Sequence, residues 1–381
     1  MTAQLSNRPQ SIVFLGTAHD NGGTSILASN LAKAMRARGH HVEEWYLFGS
    51  DGDLPAGARV FVPTKRSRSP LLLAALFFRV VAALRHCKPD VLFGLQPFSN
   101  LLVGVAGRLS GVRRRIPTYH GPRSFVTRPM MALDDVVGRL GLYTHMIACA
   151  NSVADTYHRE SLVVVVNGHD VPKTFARAEA RAALGLPAQG LILGQIGRLS
   201  HQKNQAFSLG LLKQLPEALL VLLGIGPDEA ELRAQIAAAG LMERVHVIPA
   251  VPHERIGLFY SAIDLVLFPS RYEGLSLAAI EAIHAGVPPL CANIASFREM
   301  LADSPLLKAN LLLPLPDPSA WVTRIRNVMA DQALRQRIGD ELARISPAYS
   351  FDVMAEQYLR LIEQRDAVPR RPAREAIETG I

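Results

Sequence analysis

Short apolar runs, separated by turns marked with glycine, proline or charge, recur along almost the whole chain. In the first half, Ser11-Ile-Val-Phe-Leu-Gly16, His41 to Leu47, Arg59 to Val62, Val91 to Leu95, Ile116 to Tyr119, Thr144 to Cys149 and Leu162 to Val166 read as strands. Helical stretches alternate with them, among them about Ser25 to Arg38, closed by Gly39, and the apolar segment Ser69 to Arg85. The second half repeats the theme with Leu191 to Ile196, Ala218 to Leu223, Val245 to Ile248, Leu265 to Phe268 and Pro289 to Asn293. Helices near Pro318 to Ala330, Gln332 to Ile345 and Phe351 to Arg365 close the chain. Continuous apolar strands alternating with helices predict the α/β class, with parallel sheets covered on both faces.

One stretch concentrates the candidate chemistry. After the strand ending at Phe268, Pro269-Ser270 opens a loop that carries Glu273 and Gly274. Leu275 to Ala285 then has helical composition, and Gly286 with Pro288 supplies the stop. In a doubly wound sheet such a loop lies beyond the carboxyl ends of the strands, where ligands bind. Glu281 would stand roughly two turns into the helix, about 9–12 Å along its axis from Glu273. One carboxylate can then address a sugar and the other a ribose. The bare backbone of Gly274 and the first helical amides, at Leu275 and Ser276, would meet a diphosphate between them. A loop glutamate and a salt-bridged helical glutamate with no ligand is the bland alternative.

Other loops follow strands in the same way. The first strand runs into Thr17-Ala-His-Asp-Asn-Gly22-Gly23-Thr24, a glycine turn that suits phosphate or an acceptor. Its adjacent glycines are not the G-x-G-x-x-G fingerprint, so a nicotinamide cofactor is not expected. The strand ending at Tyr119 delivers His120-Gly121-Pro122. Gly197-Arg-Leu-Ser-His-Gln-Lys-Asn204 holds Arg198 and Lys203 five apart, a bidentate fork and a point charge suited to a departing diphosphate. Gly224-Ile-Gly226-Pro precedes an acidic helix start. Without further support, His120 reads as a polar loop residue and the two cations as solvated ones.

Taken together, Glu273-Gly274, Glu281-Ala282, Gly286-Val-Pro288, Gly197-Arg-Leu with Lys203-Asn204, Gly224-x-Gly226-Pro and Asn167-Gly-x-Asp170 resemble retaining glycosyltransferases of family four. The resemblance implies the GT-B fold: two Rossmann-like doubly wound domains facing across a cleft, with a C-terminal helix crossing back to the first. The expected division is 1–170 for an acceptor domain, 171–347 for a nucleotide-sugar domain, 348–366 for the returning helix and 367–381 for a loose tail, with 171–187 as connector. Transfer from a nucleoside diphosphate sugar to a hydroxyl acceptor is implied, without metal and with UDP favoured over GDP. Arg198 and Lys203 would hold the diphosphate, Glu281 the ribose and Glu273 the sugar hydroxyls, with His120 beside the sugar. Gly22, Gly23, Gly224 and Gly226 would let backbone approach ligands. His169 falls in a variable slot and is not assigned to the site. The sequence departs from the family where Thr24-Ser25 replace an expected acidic position, and where Ile294-Ala-Ser-Phe-Arg precedes Glu299 instead of a glycine pair.

Charge and composition refine the reading. A net charge of +8 favours anionic partners such as nucleotides or phospholipid headgroups, while no nucleic-acid module appears. The three cysteines, Cys87, Cys149 and Cys291, show no paired spacing, so neither zinc nor a disulfide framework is implied. Met1 to Gln10 lacks an apolar core, which points to a cytoplasmic protein. Ser69 to Arg85, flanked by Lys65, Arg66, Arg68 and Lys88 and broken by Arg79, is expected to pack on a sheet, to rest on an anionic membrane, or both. A lipid-linked or glycan acceptor in cell-envelope assembly follows as a lean. The rival readings are a silent nucleotide-sugar binder and a GT-B nucleotide-sugar epimerase.

Overall fold

The computed structural model describes residues 8–19, 23–49, 54–63, 69–159, 162–249 and 251–363. Gly22, the flank Lys65 to Arg68 and the tail beyond 363 lie outside the described residues. The chain forms two compact units, one of Met1–Asn167 with Met354–Ile381, the other of Gly168–Val353.

The first unit runs β1 (Ser11–Ala18), α1 (Gly23–Ala37), β2 (His41–Phe48), β3 (Arg59–Val62), α2 (Pro70–Cys87), β4 (Val91–Gly94), α3 (Pro97–Leu109), β5 (Arg114–Tyr119), α4 (Arg128–Arg139), β6 (Met146–Ala148), α5 (Asn151–Tyr157) and β7 (Leu162–Val164). Its strands form one parallel sheet in the order β3-β2-β1-β4-β5-β6-β7. The order reverses between β1 and β4, the switch point where a crevice opens.

Each face of this sheet has its own cover. Val13, Leu15, Trp45, Leu47 and Leu92 pack under α2 (Leu76, Val80, Val81, Leu84) and α3 (Leu102, Val103, Ala106). Next to α3 lies α4, brought close by Gly104, where a Cβ would stand 2.4 Å from Val137 Cγ1. On the other face Phe14 stacks on Phe93, which meets Tyr358 of the C-terminal helix α15 (Phe351–Glu363). Arg38, after α1, pairs with Glu356 of α15 at 3.4 Å. The returning helix is therefore part of the first unit's core, as the family resemblance implied.

The second unit holds α6 (Arg177–Ala183), β8 (Leu191–Ile196), α7 (Gln205–Leu212), β9 (Ala218–Leu223), α8 (Glu229–Ala238), β10 (Val245–Ile248), α9 (Ile256–Ala262), β11 (Leu265–Phe268), α10 (Leu277–His284), β12 (Pro289–Ala292), α11 (Ala295–Met300), α12 (Pro305–Leu311), β13 (Leu312–Leu313), α13 (Pro318–Ala330) and α14 (Gln332–Ile345). Its parallel sheet is ordered β10-β9-β8-β11-β12-β13, with the switch between β8 and β11.

Three expectations change. The stretch 171–187 is packed into the second unit: the buried Arg181 guanidinium bonds Ala262 O at 2.9 Å and Asp264 at 3.1 Å. The charge run Arg113 to Arg115 predicts a solvated basic turn, yet Arg115 lies in β5 with its guanidinium on Leu142 O and Val112 O. The helix after Glu273 begins at Leu277, not Leu275, so Glu281 sits little more than one turn inside it.

By length and composition α2 could cross a membrane, with a mean hydropathy of 1.6 over 18 residues. Its inner stripe nevertheless covers the sheet, as the packing reading expected.

Candidate functional site

Loops at the second unit's switch point bring together Lys203 and Glu273. Lys203 follows β8 and Glu273 follows β11, and these strands are neighbours. Lys203 Nζ lies 2.5 Å from Glu273 Oε1. Ser270 Oγ donates to the same oxygen at 2.7 Å, and Gln202 Nε2 approaches Oε2 at 3.4 Å. Two further bonds lock the loops together: Asn204 Nδ2 donates to Pro269 O and Arg271 N to Gln202 O. Glu273 is thus a buried carboxylate held in one orientation, and its charge helps burial to raise the Cys291 thiol. Arg198 stands on the same loop with its side chain exposed.

The glycines have a backbone reason to be glycine. A Cβ on Gly224 would lie 2.1 Å from Gly197 O, and one on Gly226 would lie 2.1 Å from Leu199 O. Gly224 also has φ +149, which side-chain-bearing residues avoid. Leu199 N donates to Ile225 O and Asp228 N to Leu199 O, so the loops after β8 and β9 run backbone against backbone.

Gly274, Leu275 and Ser276 are buried ahead of α10. Ser276 is the N-cap residue, yet its side chain makes no capping bond, and its buried Oγ has no partner. The start of α10 therefore keeps amide donors and one hydroxyl for an anion, favoured by the helix dipole. Further along α10, buried Glu281 receives the Tyr260 hydroxyl on Oε2 at 2.8 Å and faces His169 Nε2 from Oε1 at 3.4 Å. Burial, reinforced by Glu281, drives the Tyr260 hydroxyl far above its usual pKa, so it stays a donor. His169 Nδ1 is 3.1 Å from Asp170 O, and since a carbonyl only accepts, that nitrogen carries a proton. Burial lowers the His169 pKa, which favours the neutral ring, so Nε2 is an unprotonated acceptor and gives Glu281 no hydrogen bond. Sequence reasoning left His169 out and did not single out Tyr260; both neighbours of Glu281 come from distant elements.

In the first unit, His120 leaves the carboxyl end of β5. The Thr118 hydroxyl donates its one proton to Gly94 O at 2.6 Å, so at 2.8 Å it accepts from His120 Nε2. The proton is on Nε2. His120 Nδ1 is left as a buried acceptor without a partner, and burial pushes the ring pKa down to about 4. Thr17 Oγ1 and Asn100 Oδ1 are also buried without partners, near the carboxyl ends of β1 and β4. Unsatisfied buried polar atoms are rare in folded proteins, and here they gather where the topology predicts a ligand. Thr17 and Asn100 carry no sequence signal that would have singled them out. Gly23 opens α1 at this edge.

Two family descriptions match the chain in tandem. Residues 176–344 match glycosyl transferases group 1, and residues 21–172 match glycosyltransferase family 4. The chain belongs to glycosyltransferase family four. A D-inositol 3-phosphate glycosyltransferase of Xylanimonas cellulosilytica is 28% identical over 98% of both chains. The lipopolysaccharide core biosynthesis mannosyltransferase LpsB of Rhizobium meliloti is 29% identical over 52% of this chain and 60% of its own. Among solved structures, HepE of Anabaena, in complex with UDP and glucose, superposes with a TM-score of 0.80, covering 93% of this chain and 99% of its own at 20% identity. The lipopolysaccharide glycosyltransferase WaaG gives 0.72 at 16% identity, over 92% and 99%. This family-four chain thus has the GT-B type of fold. Among its described residues, no group of three or more His, Cys, Asp or Glu side chains is placed to hold a metal ion.

Proposed function

We propose that this glycosyltransferase moves a sugar from a nucleoside diphosphate sugar to a hydroxyl of a glycan or lipid-linked acceptor, with retention of the anomeric configuration. A UDP-sugar is the favoured donor and a GDP-sugar the second choice. The observation that carries the reading is the pair of anchored carboxylates in one unit, Glu273 and Glu281, flanking a helix start whose hydroxyl and amides have no cap.

In this reading Glu281, oriented by Tyr260, accepts from the ribose hydroxyls. The diphosphate lies against Gly274, Leu275, Ser276 and the start of α10, and Arg198 and Lys203 neutralise the leaving group in place of a metal ion. Lys203 can serve the phosphate and Glu273 at once, because an ammonium has three donors. Glu273 accepts from the sugar's hydroxyls. In the first unit, the bare Nδ1 of His120 is an acceptor for a substrate hydroxyl, and its low pKa keeps the ring neutral over the whole physiological range. Gly23, at the start of α1, serves the acceptor side, while Gly224 and Gly226 keep the loops after β8 and β9 close enough to frame the nucleotide. The UDP and glucose of HepE and the inositol phosphate and lipopolysaccharide names of the relatives support this choice of substrates. We place the reaction at the cytoplasmic face of a membrane, in cell-envelope polysaccharide or glycolipid assembly.

The test is a donor screen with UDP- and GDP-sugars, in chelator, against glycan and lipid-linked acceptors, with the anomeric configuration of the product read by NMR. Retained configuration with one donor supports the proposal. An inverted product, or nucleotide binding with no transfer to any acceptor, would contradict it.

A further inference from the structure

Among the described residues, most of the large apolar side chains exposed on the first unit gather on one helical layer. On α2, Leu71 is 84% exposed and Phe78 is 68% exposed, and Ala74, Ala75 and Ala82 complete one outward stripe at helical spacing. Leu109 ends α3 beside it: Arg85 donates to Leu109 O and Ser110 Oγ to Val81 O. On α4 and at its C-cap, Leu133, Val136 and Leu140 are exposed at helical spacing, Leu140 to 68%. The order α2-α3-α4 on the same sheet face, fixed by the shared core and the Gly104–Val137 contact, makes these one surface.

Charge on this surface has a single sign. Arg79, Arg85, Arg108, Arg128 and Arg139 are exposed on the three helices. Their acidic residues are confined to Asp134 and Asp135 on α4. Both are committed inward: Asp134 is buried against Arg159, Tyr119 and Tyr143, and Asp135 pairs with Arg123 and Arg159. Exposed arginines beside exposed leucine and phenylalanine, with no acid facing outward, complement a layer of anionic headgroups over hydrocarbon. A second copy of the chain fits poorly, since a symmetric contact would set the same arginines against each other.

We propose that the outer face of α2, α3 and α4 docks on an anionic phospholipid bilayer. Phe78, Leu71 and the α4 leucines enter the boundary between headgroup and acyl chain, and the arginines remain at headgroup level. The inner stripe of α2 stays on the sheet, so the helix lies on the membrane and does not cross it. The proposal deepens the membrane-side location given above. Vesicle binding is read without sugar transfer, so failure of one reading leaves the other standing.

The test is co-sedimentation of the full chain with vesicles of phosphatidylcholine alone and of equal parts phosphatidylcholine and phosphatidylglycerol. Binding is expected to the anionic vesicles only, and to weaken as salt is raised. Each arginine lost should weaken it about fivefold, so Arg79→Ser with Arg139→Ser should cost about twentyfold or more. Phe78→Ser with Leu133→Ser should weaken it at least about tenfold. Thermal unfolding and circular dichroism check that each variant is folded, and the arginine pair keeps the test intact if the apolar pair is not. No binding of the wild type to anionic vesicles would overturn the proposal. So would an arginine variant that binds like wild type, or self-association in sedimentation velocity that Phe78→Ser with Leu133→Ser abolishes.

Discussion

His169 Nε2 lies 3.4 Å from Glu281 Oε1, while the Tyr260 hydroxyl holds Oε2 at 2.8 Å. The tyrosine on α9 thereby fixes the rotamer of the carboxylate proposed to hold ribose, while His169, just past the start of the second unit, packs beside it with Nε2 unprotonated. Tyr260→Phe removes a buried hydrogen bond to a charged group, so UDP affinity should fall about tenfold. Inorganic pyrophosphate should bind both proteins equally, because it does not reach Glu281. Titration of both ligands into both proteins distinguishes this from a general loss of structure, which would weaken the two alike.

Lys203 and Glu273 form a largely buried ion pair, their side chains 15% and 6% exposed. Lys203→Met leaves the carboxylate with Ser270 and Gln202 alone and should destabilise the protein by about 3 kcal/mol. Lys203→Met with Glu273→Gln should recover most of that loss while leaving nucleotide binding weak. Urea denaturation of the single and double variants gives the comparison.

His120 gives a signed pH dependence. Burial holds its pKa at about 4, against 6.5 for a free ring. The neutral folded form contributes full stability above pH about 6.5, and that contribution is lost as pH falls toward about 4, because the unfolded chain takes up the proton first. The loss amounts to about 3 kcal/mol at the lower end. His120→Gln should remove this component from the stability–pH profile measured by denaturant titration, leaving the parts due to other groups.

Gly226→Ala sets a Cβ 2.1 Å from Leu199 O, a clash with backbone that no side-chain rotation relieves. A loss of about 2–4 kcal/mol is expected, read as a lower thermal midpoint. Gly210→Ala, on α7 with nothing within 4 Å of the new Cβ, should be neutral or slightly stabilising.

What the sequence made legible follows from the kind of signal each element carries. Leu191–Ile196, Ala218–Leu223, Val245–Ile248 and Leu265–Phe268 were readable to the residue, because each is a short, mainly apolar run, interrupted only by Gly194, Gln195 and His246. α3 was missed: Gly104 and Gly107 interrupt its helical composition, and they are there for close packing against Val137, Tyr143 and Arg115. β13, only two residues long, gives no pattern to read. The loops with Arg198, Lys203, Glu273 and Glu281 stood out through local spacing. The Lys203–Glu273 pairing did not, since it depends on β8 and β11 being neighbours across the switch point. His169 lacked any local signal, and only the fold sets it against Glu281.

The central claim, a nucleoside diphosphate site in the second unit centred on Glu281, is tested most directly by calorimetric titration. UDP, GDP and ADP would be titrated in chelator into the wild type and Glu281→Ala. One nucleotide, with UDP first in order, should bind the wild type and bind Glu281→Ala at least about tenfold more weakly. Absence of binding by all three to the wild type, or equal binding to both proteins, would contradict the account.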